Sequence, residues 1–283
     1  MMLRVLLPTD FSTHSYNALS YAQQLFSKVA VEFTLFHAYE PTALQMLGNI
    51  SPQRLATIYQ DWKLKSVQRL NALQSQILKT NQPELHQYAM QAYEGHLTEG
   101  IAAFEKEAYD YIIMGSKGAT GLKEIFLGSV TYSVVSLQQE IPILIIPEKA
   151  SFNTLKKIGL ETDFKKSYSK AVLQPLLQLS KIWGATLHLV QVYSNPDLST
   201  LEKDRLQHLK TILKDIPCSF HVIPKFSSLE NCIHVFEEDL EIDFMVLIDY
   251  PLNFFDRLMG KSIVKNITFH TSLPFLILPT PNC

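Results

Sequence analysis

The sequence predicts an α/β protein made of two tandem doubly wound domains, each a five-stranded parallel sheet, for which the order 3-2-1-4-5 would make strands one and four neighbours. Three observations carry this. The chain has 283 residues, 47% of them apolar and 18% charged, enough for about two globular domains of ~150 residues. Short β-branched apolar runs alternate with longer stretches of helical period, the pattern of strand-helix-strand units with right-handed crossovers. The chain also repeats itself, with the same succession of segments in each half.

In the first half the strands are expected at Leu3–Leu7, Val31–His37, Gln87–Ala92, Tyr111–Met114 and Ile143–Ile146. Near-continuous apolar runs such as the last are typical of strands buried on both faces. Helices fill the gaps: one begins at Ser12, whose hydroxyl can cap it, and another follows Gly128. The polar run from Ile50 to Lys79 should form a longer or two-part helix. In the second half, Pro175 falls inside the first helical stretch and should kink or delay that helix.

The repeat pairs Leu6–Ser12 with Gly159–Lys165, placing Asp10 opposite Asp163 at an offset of 153. It continues with Thr34–Tyr39 on His188–Tyr193, Tyr109–Ser116 on Ile242–Asp249, and Ile141–Pro147 on Leu273–Pro279. The offset falls from 154 at Thr34 to 133 at Tyr109, so the second copy is 21 residues shorter between these points. The expected domains are residues 1–150 and 151–283.

Composition excludes several classes of function. Lys plus Arg number 25 against 27 Asp plus Glu, so no global field draws the chain to nucleic acid or a membrane surface. Cys218, Cys232 and Cys283 show no disulfide or zinc spacing. The apolar start reaches Pro8 too soon for a signal-peptide core, and no run approaches membrane-spanning length. A cytoplasmic protein is expected. No HExxH, GxSxG or EF-hand loop is present, and the nine His residues form no evident ligand set.

Glycine is spent unevenly. Of 10 in the chain, Gly115, Gly118, Gly121 and Gly128 crowd into 14 residues. In an open parallel sheet ligands sit beyond the carboxyl ends of the strands where strand order reverses, and Asp10 and Gly115 both lie at such ends. Gly115 and Gly118 lack Cβ atoms and let the backbone approach a phosphate, while Gly128 and Ser129 open a helix whose free amides favour an anion. Lys117 or Lys123 could add charge. Each residue also has a structural explanation: strand-ending glycines, a capping Ser129, an Asx turn at Asp10. The joint spacing, Gly-x2-Gly-x9-Gly-Ser, favours the phosphate reading.

That spacing, with Pro8–Ser12 around Asp10, resembles the ATP-binding members of the universal stress protein family over essentially the whole chain as a tandem pair. The resemblance implies an adenine nucleotide alpha hydrolase-like fold and ATP as ligand, with Mg2+ as a cation that could bridge its phosphates to Asp10. It implies that Asp10 contacts the ribose, the backbone around Ala38 the adenine, and Gly115, Gly118, Gly128 and Ser129 the phosphates, with Thr9 and Ser116 beside them. Tandem members also suggest that the two domains pair, and the apolar fifth strands, edges in this strand order, could cover each other. A further homodimer is compatible with this.

The second copy departs from the pattern. Ile248, Asp249 and Pro251 stand where the first has Gly115, Ser116 and Gly118. A β-branched residue, a missing donor and added negative charge dismantle the phosphate cradle. Gly260-Lys261-Ser262 imitates a P-loop tail, but Phe255 stands where that motif requires glycine. One nucleotide per chain is therefore expected, held by a stress-response binding module with no evident catalytic base and at most slow ATP hydrolysis. The alternatives are a non-nucleotide scaffold or a carrier of a small apolar ligand. An adenylate-forming or nucleotide-transferring enzyme would need a second signature, such as an SGGxDS loop or a HIGH-type pair, that the sequence lacks.

Overall fold

A computed structural model of the chain describes residues 2–40, 51–80, 84–104, 108–116, 128–137, 140–162, 164, 167–193, 198–227, 229–248 and 273–279. The first half runs β1 (Leu3–Pro8), α1 (Thr13–Leu25), β2 (Val31–Tyr39), α2 (Pro52–Lys79), β3 (His86–Glu94), α3 (Leu97–Ala102), β4 (Tyr111–Gly115), α4 (Ser129–Ser136) and β5 (Ile143–Ile146). The second repeats it as β6 (Lys157–Glu161), α5 (Lys170–Trp183), β7 (Thr186–Tyr193), α6 (Thr200–Ile212), β8 (Cys218–Pro224), α7 (Leu229–Asp239), β9 (Phe244–Ile248) and β10 (Phe275–Leu278).

All strands lie in one ten-stranded sheet ordered β3-β2-β1-β4-β5-β10-β9-β6-β7-β8. Each half thus has the order 3-2-1-4-5, and the parallel pairing inside it is what the strand-helix alternation predicts. Where the halves meet, β5 and β10 run antiparallel, with Leu144 opposite Leu276. The buried apolar side chains of these strands place core on both sides of the seam. Side chains alternate between the two faces of a strand, so in β2 Val31, Phe33 and Leu35 pack under α1 and α2 while Phe36 joins the opposite core.

The repeat extends to the backbone. Phe11 and Phe164 both adopt left-handed conformations, with φ of 61° and 53°. In each copy the preceding Thr donates its N–H to the second strand, Thr9 to Phe36 at 2.8 Å and Thr162 to Val190 at 3.0 Å. Its hydroxyl accepts the Phe N–H, at 3.0 Å for Phe11 and 3.2 Å for Phe164. An ST turn of this kind ties the strand end to the following helix.

Ser12 caps α1 by accepting the Ser15 N–H at 3.3 Å. The run from Ile50 to Lys79 supplies one continuous helix of 28 residues, α2, against 13 in its counterpart α6. Pro175 does not delay α5: the helix starts at Lys170, capped by Ser169, and continues through the proline. The Pro175 carbonyl accepts a 3.0 Å hydrogen bond from the buried Tyr111 hydroxyl of β4. Trp183 Nε1 likewise donates to Leu25 O at 2.9 Å, so α5 is fixed to the first half by polar as well as apolar contacts.

Candidate functional site

The carboxyl ends of β1, β2 and β4 diverge around a cleft of about 280 Å³. Thr9, Asp10, Ala38 and Gly115 line it, four of the residues that the sequence singles out. Two segments that sequence reasoning passes over complete the wall: Gly95, His96 and Leu97, from the turn between β3 and α3, and Val130 and Thr131 from α4. The left-handed Gly95, at φ 125°, marks that turn in the sequence only as an isolated glycine. His96 Nε2 lies 3.3 Å from Glu40 Oε2 at the exposed rim.

Each lining residue is held by local chemistry. Asp10 Oδ1 accepts the Ser12 N–H at 3.0 Å, an Asx turn. The Thr9 hydroxyl accepts from Phe11 N–H and lies 3.1 Å from Ser15 Oγ, so it serves the turn itself. Gly115 is required for a close approach: a Cβ there would stand 3.0 Å from the His14 carbonyl oxygen and 3.2 Å from His14 Cβ. The Gly115 carbonyl accepts from the Thr131 hydroxyl at 3.0 Å, which anchors α4 to the strand end.

The start of α4 is the anion-attracting element. Gly128 is its N-cap, and its first helical bond joins Tyr132 N–H to Gly128 O at 2.8 Å. The N–H groups of Ser129, Val130 and Thr131 therefore have no intrahelical acceptor, and the helix dipole is positive there. The Ser116 N–H is taken by Ile146 O at 2.9 Å, and its carbonyl accepts from Gly128 N–H. Its hydroxyl is buried and has no hydrogen-bond partner among the described residues, an arrangement that costs about 1–3 kcal/mol unless a ligand or water answers it. Gly118, with the rest of the loop between Ser116 and Gly128, lies outside the described residues.

On the other side of β2, His37 Nδ1–H donates to Thr9 O at 2.7 Å. Burial lowers its pKa below the usual imidazole range, and the positive field of Arg69 acts in the same sense, against the Thr9 hydrogen bond and Asp10. The ring is neutral near pH 7, and its Nε2 carries a lone pair.

In the second half Phe164, the counterpart of Phe11, is 1% exposed and packs 5.7 Å from Phe220, and the Tyr168 hydroxyl lies 3.2 Å from Thr162 Oγ1. Ile248, replacing Gly115, is buried. Asp163, Asp249, Pro251 and the P-loop-like Gly260-Lys261-Ser262 lie outside the described residues. The structure also brings together His188 and His221, whose ring nitrogens are 3.2 Å apart with Ser219 Oγ beside both. No sequence spacing signals this pair, because it depends on the register that sets His188 opposite Ser219 and Val190 opposite His221. Among the described residues no group of three or more His, Cys, Asp or Glu could hold a metal ion, and no helix is long and apolar enough to cross a membrane.

Comparison with known proteins agrees with this architecture. The chain is 28% identical over 163 residues to the universal stress protein MJ0577 of Methanocaldococcus jannaschii, covering 53% of this chain and 98% of that protein. A crystal structure of a universal stress protein from Archaeoglobus fulgidus superposes with a TM-score of 0.72 at 19% identity, over 97% of both chains. A functionally unknown protein from Pseudomonas aeruginosa superposes with a TM-score of 0.60 at 14% identity, over 98% of this chain and 92% of that one. These two structures share the tandem fold. The family profile described as the universal stress protein family matches residues 1–147, and the chain therefore belongs to the universal stress protein family.

Proposed function

We propose that residues 1–150 form a domain that binds one adenine nucleotide per chain, with ATP as the expected ligand, and that residues 151–283 form a second domain without a nucleotide site. The observation that carries this is the open N-terminus of α4, whose Val130 and Thr131 line one cleft with Asp10 and Ala38, next to a buried Ser116 hydroxyl that has no hydrogen-bond partner among the described residues. A phosphate would satisfy both the hydroxyl and the α4 amides. Asp10 would then accept a ribose hydroxyl, and Ala38 and Leu97 would flank the base. Gly118 and Ser129 belong to the phosphate end of this reading, and Mg2+ would neutralise phosphate charge near Asp10.

The protein acts as a regulatory module whose nucleotide occupancy shifts conformation or partner affinity, with hydrolysis slow at most. The antiparallel β5–β10 ladder supports intramolecular pairing of the domains in solution, which leaves a homodimer as an optional further step. A cytoplasmic location is part of the same reading. Calorimetric titration of the full chain with ATP, with native mass spectrometry for stoichiometry, tests it. Saturation at one per chain is expected, lost on Gly118→Tyr and kept on Pro251→Ala; saturation at two, or no binding, overturns it.

A further inference from the structure

A second cleft, of about 420 Å³, opens on the α2 side of His37 and is lined by Trp62, Lys65 and Arg69. His37 lines both clefts, so the second begins where the nucleotide cleft ends, beside the β1–α1 turn that carries Asp10. Residues 62, 65 and 69 follow one another at helical spacing on one face of α2. The Arg69 guanidinium lies 4.0 Å from the centroid of the Phe11 ring, and that ring in turn packs 4.6 Å from His37. Phe11 reaches this position through a left-handed φ of 61°, a conformation that costs energy for a bulky residue.

An arginine of the second half shows what such a side chain does when it has a structural role. Arg205 of α6 donates Nη1–H to Phe164 O at 3.1 Å. Arg69 instead lies against the ring face, and among the described residues it makes no ion pair or hydrogen bond. A guanidinium stacked on an aromatic ring keeps its planar edge of N–H donors directed outward, the geometry that suits bidentate phosphate recognition. Lys65, one turn earlier, adds a second cation to the same cleft.

We propose that this cleft recognises a second phosphate carried on the ribose 2′ or 3′ oxygen of the bound nucleotide. The inference rests on the nucleotide reading above. With the 5′-phosphates at α4 and the ribose at Asp10, a substituent on a ribose oxygen is the part of the ligand that can pass His37 toward α2. In dinucleotide-binding folds an acidic residue takes a ribose hydroxyl while a nearby Arg accommodates a ribose phosphate. Asp10 would accept the remaining hydroxyl, and Arg69 and Lys65 would hold the phosphate. Two sources share this chemistry: a terminal phosphate monoester, and a 3′,5′-linked dinucleotide whose second base reaches Trp62 and stacks on its indole.

Calorimetric titrations of the full chain with AMP, 3′-phosphoadenosine 5′-phosphate and 5′-phosphorylated adenylyl-(3′,5′)-adenosine test the proposal. One or both ribose-phosphorylated ligands should bind at least about tenfold tighter than AMP, as expected for a charge-assisted bidentate contact. Arg69→Ala should bring that ratio close to one, and Arg69→Lys should restore only part of it. Trp62→Ala should reduce the ratio for the dinucleotide alone if that is the natural class. AMP binding without preference for either longer ligand overturns the second-phosphate site and leaves the nucleotide reading standing, as does a preference that survives Arg69→Ala. No binding of any nucleotide, ATP included, overturns both.

Discussion

Replacing Gly115 with Ala isolates one close contact. The added Cβ would stand 3.0 Å from the His14 carbonyl oxygen and 3.2 Å from the His14 carbonyl carbon and Cβ. Ordinary carbon contacts are 3.5–4.0 Å, so strand or helix must yield by several tenths of an ångström. The obstacle is backbone, which no rotamer change can move. The first turn of α1 is also pinned, by the Ser12 cap at 3.3 Å and the Ser15 hydroxyl donating to Ser12 O at 2.9 Å. Overpacking of this kind costs about 1–3 kcal/mol. Gly115 does not have a positive φ, so the substitution recovers about 0.4–1 kcal/mol by restricting the unfolded chain. The net loss is about 1–2 kcal/mol, or roughly 0.5 M in urea midpoint at a slope of ~3 kcal/mol/M. Equilibrium urea unfolding by circular dichroism reads this directly. A midpoint equal to or above that of the wild type refutes the close approach of β4 to α1.

Ser116→Ala removes a buried hydroxyl that has no hydrogen-bond partner among the described residues, so it should raise stability by about 1 kcal/mol while weakening ATP binding. A destabilised variant in the same urea assay would show that the hydroxyl has a structural role. Tyr111→Phe removes the hydroxyl that lies 3.0 Å from Pro175 O and 3.1 Å from Gln178 Oε1, with one proton to donate between them, and should cost about 1–2 kcal/mol. Burial, with Asp110 adding to it, holds the Tyr111 pKa far above its ordinary value, and burial does the same for Tyr21. Above about pH 10 the unfolded chain releases these protons and the folded chain keeps them, so stability falls as pH rises, by about 1.4 kcal/mol per unit for each tyrosine. Thermal melts from about pH 9 to about pH 11, either side of the ordinary tyrosine pKa, should lose stability less steeply in Tyr111→Phe. On the acid side, burial lowers the pKa values of His37, His86, His188 and His221. The unfolded chain then binds protons first, and stability drops as pH falls below about 6.5 toward the folded values. His221→Gln should flatten that slope, and an unchanged slope would count against the depressed pair.

The first half of the site was legible because its signals are local. Asp10, Thr9 and Ser12 form a turn within a few residues of one another, and Gly128 with Ser129 marks a helix start by residue type alone. Gly115 stood out for its lack of a side chain, but its contact with His14 comes from a segment about a hundred residues away. The wall formed by His96, Leu97 and Thr131 carried no motif, since ordinary residues acquire that position only when β3 and β4 take their places in the sheet. That β5 claims the Ser116 N–H carried no signal either, because it depends on how β4 and β5 pair.

By itself the sequence determined the duplication, the strand-helix alternation within each half and the unequal glycine content of the two copies. These depend on periodicity, turn chemistry and repetition along the chain, which act between neighbours. Only the tertiary structure decided that β5 lies antiparallel on β10, that His188 meets His221, and that α2 turns Trp62, Lys65 and Arg69 toward His37. Each is a meeting of segments far apart in sequence. Such meetings are fixed by which apolar faces bury together, and the face opposite each buried one is carried into place with them.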